Sequence, residues 1–175
     1  MQKDEVIVVT GGAGAIGRCF VRGIAENVGI AIAADINYDG AELLARESLG
    51  KLETVHLDIT SKDSITALIA DLRQRHGRID SVINNAYPRN NDYGRKLERA
   101  TFSNLCENVN MYLSDYSLVT QQFCAAFKEQ GCGNVINMSS IYGSTTPNFE
   151  VYQGMPVTMP VQHPALKAAI EQLTW

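Results

Sequence analysis

The sequence predicts an α/β fold, a parallel sheet doubly wound by helices in three αβα layers. Three observations predict it. Strand-like and helix-like segments alternate along the chain, the strand-like runs are short and β-branched, and a polar residue follows the carboxyl end of each run. Those residues are Thr10, Asp35, Asp58, Asn84 and Ser140. Open parallel sheets bind ligands beyond the carboxyl ends of their strands, so the pattern also points to a site.

Val6-Ile7-Val8-Val9 reads as a buried parallel strand ending at Thr10 and a glycine cluster. From Ile16 to Val28, the apolar residues Ile16, Phe20, Ile24 and Val28 recur at helical spacing. Ile30 to Ala34 is a second strand, Asp39 to Leu49 a helix, and Thr54 to Leu57 a third strand. Thr60 or Ser61 caps a helix carrying Ile65, Leu68, Ile69 and Leu72, which stops near Gly77. Ser81 to Ile83 is the fourth strand, Asn110 to Lys128 a long helix, and Asn134 to Met138 the fifth strand. Tyr87 to Arg99 and Gly143 to Pro160 read as polar loops, and loops of that length in a compact domain are often functional.

With 175 residues, 45% of them hydrophobic, the chain suits one domain over residues 1–175. No apolar run approaches the roughly 18–20 residues that cross a bilayer. The polar N-terminus, Met1 to Glu5, does not resemble a secretory signal, so a cytoplasmic location is expected. Net charge is −4 with Lys and Arg scattered, which argues against a nucleic-acid partner. Cys19, Cys106, Cys124 and Cys132 show no CxxC pair or metal-ligand spacing. They read as buried thiols, and no metal site is expected.

Thr10-Gly11-Gly12-Ala13-Gly14-Ala15-Ile16-Gly17 joins the first strand to the first helix. Glycines let the backbone turn tightly and approach a pyrophosphate, which the helix N-terminus attracts with its N–H groups. Asp35 closes the second strand, 18 residues beyond Gly17. A carboxylate there accepts hydrogen bonds from ribose hydroxyls and repels a 2′-phosphate, which favours NAD over NADP. The alternative is that Asp35 merely starts a turn.

These residues resemble the short-chain dehydrogenase/reductase family, and the resemblance covers essentially the whole chain. Gly11 to Gly17 is similar to the family's TGxxxGxG, with Ala15 where the middle glycine usually stands. Asp58-Ile59-Thr60 resembles the Asp-Val-Thr that brackets the adenine, and Asn84-Asn85-Ala86 the Asn-Asn-Ala-Gly motif, with Tyr87 for its glycine. Asn110 is similar to the helix asparagine of the catalytic set, and Ser140 to the catalytic serine. Within the family, Asn84–Arg89 and Ser139–Gly143 look most like bacterial members linked to flagellin or surface-sugar modification. The resemblance implies a Rossmann-type fold and an NAD cofactor held by Gly11, Gly14, Ala15, Ile16, Gly17, Asp35, Asp58, Ile59, Asn85, Ala86 and Lys167.

Two departures stand out. The family places a tyrosine four residues before its lysine, where both face the cofactor; here His163 precedes Lys167. The resemblance makes Asn110, Ser140, His163 and Lys167 the catalytic set, with a neutral imidazole as proton donor. A surface or loop histidine in a chain of little activity is the other reading. Tyr152 and Tyr142, 15 and 25 residues before Lys167, are too distant to share its turn. With Tyr87 they are at most pocket-lining residues. The family also continues into two further strands and a substrate cover, so the chain is expected to lack them. The fifth strand then becomes a sheet edge, and the helices before it and around Lys167 offer surfaces for self-association.

The leading function is NAD-dependent interconversion of an alcohol and a carbonyl on a small, sugar-derived substrate. The alternative is an inactive nucleotide-binding subunit or relic of the family. A sugar epimerase, suggested by the Gly14 spacing, would need a C-terminal substrate domain for which the chain has no room.

Overall fold

In the computed structural model, which describes residues 4–47, 51–91, 93–155 and 158–174, five strands form one sheet. They are β1 Glu5–Thr10, β2 Gly29–Asp35, β3 Leu52–His56, β4 Ser81–Asn84 and β5 Asn134–Asn137, in the order β3-β2-β1-β4-β5. β1 pairs in parallel with β2 (Val8 opposite Ile32) and with β4 (Val8 opposite Val82). Chain progression reverses between β1 and β4, the switch point at which such sheets bind ligands. The flanking helices are α1 Gly17–Asn27, α2 Tyr38–Glu47, α3 Lys62–His76, α4 Phe102–Val109, α5 Asp115–Gln130, α6 Ile141–Ser144 and α7 Gln162–Thr174. The fold is Rossmann-like, as the alternation predicts.

The chain forms two compact units, residues 1–86 with 118–136 and residues 87–117 with 137–175. The first unit's core joins Val6 and Val8 of β1, Ile32 of β2 and Val82 of β4 to Ile65, Leu68 and Leu72 of α3 and Phe123 of α5. Burial of Val8 and Val9 alike explains why β1 reads as an unbroken apolar run. The second unit packs Tyr112, Tyr116, Leu166 and Ile170 together, with Tyr87, Leu113 and Leu173 against them. Beside this core Asn108 donates to the side-chain oxygens of Asn90 and Asn104 (2.9 and 2.8 Å), and Asn90 N–H donates back to Asn108 (3.2 Å). These bonds tie the stretch after β4 to α4.

Several expectations change. The inward face of α1 is Gly17, Val21 and Ile24, whereas Ile16 is 59% exposed. β3 lies two residues earlier than expected at its start, and Leu57 beyond it is buried instead. The expected helix from Asn110 begins at Phe102, because Thr101 caps it by accepting from Asn104 N–H at 3.2 Å. It then passes through a π-helical segment, Asn110–Ser114. The loop from Gly143 to Pro160 contains the end of α6 and a 3₁₀ turn, Phe149–Tyr152. The four cysteines are exposed, not buried: their positions fall on outward faces that spacing rules for thiols do not address. Leu49 and Trp175 lie outside the described residues. Among the described residues no helix is long and apolar enough to cross a membrane.

The ends of α3 match their chemistry. Ser61 accepts from Ser64 N–H at 3.2 Å, and Gly77 closes the helix in the left-handed conformation (φ 76°). Ser61→Ala is expected to cost about 1 kcal/mol of stability in urea unfolding, with the slope of the transition unchanged.

Candidate functional site

The first unit carries the glycine loop between β1 and α1. Its organiser is a residue that sequence reasoning noted only for its position. Thr10, fully buried at the end of β1, accepts at its hydroxyl from the N–H groups of Asn85 (2.9 Å) and Ala86 (3.0 Å) beyond β4. The Asn85 side chain returns the bond, donating to the Thr10 carbonyl at 3.0 Å and the Gly11 carbonyl at 3.3 Å. Asn85 and Ala86 therefore hold the loop in place.

Glycine is required here by close backbone approach. A Cβ on Gly17 would stand 2.0 Å from the Gly11 carbonyl oxygen, and one on Gly12 2.7 Å from Cα of Ala33. Neither clash can be relieved by moving a side chain. At Gly11 the backbone also has φ 67°, the left-handed region. The tightened loop leaves Gly14, Ala15 and Ile16 exposed at its crest. No side chain caps the start of α1, and no acidic residue stands in its first turn. That uncapped N-terminus is chemically suited to a pyrophosphate.

Asp35 stands where β2 ends. One carboxylate oxygen accepts from Ala13 N–H and the other from Asn37 N–H, each at 2.9 Å. Each oxygen keeps a second lone pair, so the carboxylate is aimed by the loop and can still accept from a ribose. Asp58 closes a turn by accepting from both the N–H (2.9 Å) and the hydroxyl (2.8 Å) of Thr60. The Ile59 side chain belongs to the core, so only its backbone is available to a ligand. These groups fit a nicotinamide dinucleotide.

The second unit carries the other candidate residues. Asn110 opens the π-helical segment, exposed, and accepts from Ser114 Oγ at 3.0 Å. A π-bulge costs backbone regularity and is frequent at functional positions. Ser140 caps α6, accepting from Tyr142 N–H at 3.3 Å. Ser139 donates to the Glu171 carboxylate at 2.8 Å and the Lys167 carbonyl at 3.1 Å, tying that turn to α7.

Lys167 is only 6% exposed. Its ammonium donates to the Met138 carbonyl at 2.6 Å and to the Tyr112 hydroxyl. It lies 5.2, 5.0 and 5.8 Å from the ring centres of Tyr87, Tyr112 and Tyr116. Burial lowers its pKa from 10.5 to about 8. The ring faces return part of the lost solvation.

His163 is not the surface or loop histidine of the alternative reading. It is the second residue of α7, half-buried, and its Nδ1 lies 2.7 Å from the Tyr87 hydroxyl and 3.2 Å from that of Tyr93. The two hydroxyls also bond each other. Burial first, and then the Lys167 charge, hold the imidazole below its usual pKa. Sequence reasoning missed this cluster because Tyr87 and His163 are 76 residues apart. The signal available was that positions 87 and 163 both depart from the family's motifs. Nearby, a cavity of about 670 Å³ is lined by Lys96, Glu98, Phe149, Tyr152, Met155 and Met159 among others.

Residues 5–154 match the short chain dehydrogenase family. The chain belongs to that family. It is 34% identical over 178 residues to post-translational flagellin modification protein A of Campylobacter coli, a match covering 99% of this chain and 70% of that protein. Crystallographic relatives include levodione reductase (TM-score 0.83, 22% identity, 99% of this chain and 65% of that one). They also include an NAD+-bound xylitol dehydrogenase (TM-score 0.80, 20% identity, 97% and 62%). At these identities the two structures support the fold alone. The chain thus spans less than two thirds of either solved relative.

Three outcomes follow from this geometry. Thr10→Val leaves the N–H groups of Asn85 and Ala86 without their acceptor, and is expected to cost roughly 2–4 kcal/mol in urea unfolding. Gly17→Ala, with its Cβ against backbone, is expected to remove dinucleotide binding measured by calorimetry. The third concerns pH. Below about 8 both folded and unfolded chains carry the Lys167 proton, so its burial is a constant cost. Between about 8 and 10 the unfolded chain keeps a proton that the folded chain has released, so stability rises with pH. Above about 10 the sign reverses, because burial holds Tyr87 and Tyr112 protonated only in the folded chain. Urea unfolding across this range should show the rise in the parent chain and not in Lys167→Met.

Proposed function

We propose that the chain is an NAD-dependent oxidoreductase interconverting an alcohol and a carbonyl on a small, sugar-derived substrate. The observation that carries this reading is the Asp35 carboxylate, aimed by Ala13 N–H at the end of β2 beside an uncapped helix N-terminus. A carboxylate there accepts from both ribose hydroxyls of NAD and repels the 2′-phosphate of NADP. Membership of the short chain dehydrogenase family supports the oxidoreductase part of this reading, and the Campylobacter relative is named for flagellin modification.

In this reading Gly11, Gly14, Ala15, Ile16 and Gly17 hold the pyrophosphate through backbone N–H groups. Asp58 and the backbone of Ile59 border the adenine, and Asn85 and Ala86 fix the loop and border the nicotinamide ribose. The bound cofactor supplies or accepts hydride. Ser140 donates its hydroxyl to the substrate oxygen, Lys167 engages the nicotinamide ribose, Asn110 supports a proton-carrying water, and His163 transfers the proton. The cavity beside Lys96 and Met155 suits an uncharged polyol body with apolar edges. The chain acts in the cytoplasm as a homo-oligomer and as a single cofactor-binding domain. The exposed apolar side chains of α4, led by Phe102 at 82% exposure, suit the subunit contact.

The experiment is turnover of sugar alcohols with NAD, followed by nicotinamide absorbance, in the parent chain and in His163→Tyr. A shorter, neutral imidazole is a weaker proton donor than a lysine-activated phenol, so the variant is expected to gain about 10²-fold in rate. No turnover by either protein, with NAD bound, favours the non-catalytic reading.

A further inference from the structure

Positions 87 and 163, where the chain departs from its family's motifs, are hydrogen-bonded to each other. In place of a glycine the chain has a phenol, and in place of a phenol an imidazole. We propose that Tyr87 is the positioning and proton-relay residue for His163: its hydroxyl fixes the imidazole with its proton on Nε2 and refills the ring when Nε2 gives that proton to a substrate oxygen. The inference rests on the oxidoreductase reading above.

At 2.7 Å, the Tyr87 hydroxyl is the nearer of the two phenols to Nδ1, and Tyr93 at 3.2 Å is better placed to donate to the Tyr87 oxygen. Donation from Tyr87 makes Nδ1 the acceptor, which places the only proton of a neutral ring on Nε2. Burial first, and then the Lys167 charge, favour the neutral ring. A neutral imidazole that gave up its proton alone would become imidazolate, which is prohibitive near pH 7. The loss at Nε2 has to be matched by a gain at Nδ1.

The balanced step is then a relay. With a reduced nicotinamide dinucleotide as the source of hydride to the carbonyl carbon, the Nε2–H bond would break as the substrate O–H bond forms. The Tyr87 O–H bond breaks and the Nδ1–H bond forms, leaving imidazole neutral and the charge on the Tyr87 oxygen. Desolvation holds Tyr87 well towards its protonated form, so this charge needs support. Two cations give it, Arg89 and the Lys167 ammonium 5.2 Å from the Tyr87 ring centre, against the Tyr93 hydroxyl, which as bonded here favours the neutral phenol. Tyr112 and Tyr116, the other titratable groups of this core, are held neutral by burial.

The test is nitrogen NMR of the whole chain with labelled histidine rings, His163 being assigned by the loss of its signals in His163→Gln. The expected result at neutral pH is one tautomer, Nδ1 unprotonated and Nε2 protonated, kept in Tyr93→Phe and lost to a mixture in Tyr87→Phe. Signals of His56 and His76 report folding of the first unit, and the Tyr93→Phe spectrum reports that of the second. In single-turnover reduction, Tyr87→Phe is expected to slow proton-coupled hydride transfer at least tenfold with NADH affinity unchanged. A parent ring protonated at Nδ1 overturns the relay whether or not any variant folds, and so does an equal rate in Tyr87→Phe. Absence of NADH binding with the tautomer intact removes instead the oxidoreductase reading on which the relay rests.

Discussion

One buried oxygen organises the unit that carries the glycine loop. The Thr10 hydroxyl takes two backbone N–H groups from the segment after β4, and the Asn85 amide answers on the Thr10 and Gly11 carbonyls. In a low-dielectric interior each of these groups would cost about 1–3 kcal/mol if left unpaired, so the ends of β1 and β4 are fixed together. That lock sets the path of the glycine loop. The loop places Ala13 N–H on Asp35, leaves the crest from Gly14 to Ile16 open, and starts α1 without a cap. The Asp35 carboxylate is therefore aimed by a chain of local bonds that begins at Thr10.

Much of this was legible from the sequence because period and punctuation are local. The β-branched run through Val9, the glycines from Gly11 to Gly17, the apolar spacing of Ile65, Leu68 and Leu72, and the Ser61 and Gly77 ends of α3 each state their own geometry. What was not legible depends on distant partners. Ile16 joins an apolar periodicity but faces outward, because Gly17, with no side chain, is the residue that packs inward. The start of α4 at Phe102 follows from the Thr101 cap, which weak apolar spacing hid. The cysteines were misjudged because a thiol's burial depends on the helix face or turn it occupies, not on its spacing from other thiols.

The second unit was the least legible. Read alone, His163 is a lost tyrosine and Tyr87 a lost glycine. Together with Tyr93 they form a hydrogen-bonded cluster beside a buried ammonium that three tyrosine rings surround. Such a cage costs desolvation, visible in the lowered pKa of Lys167.

The central claim is that this chain binds NAD through Asp35 and the loop that Thr10 holds. Titration of the purified chain with NADH, followed by nicotinamide fluorescence and repeated with NADPH, tests it most directly. Saturable binding with a clear preference for NADH, inverted or abolished in Asp35→Ala, is the predicted result. A folded sample that binds neither dinucleotide, or that binds NADPH equally well, would contradict the account.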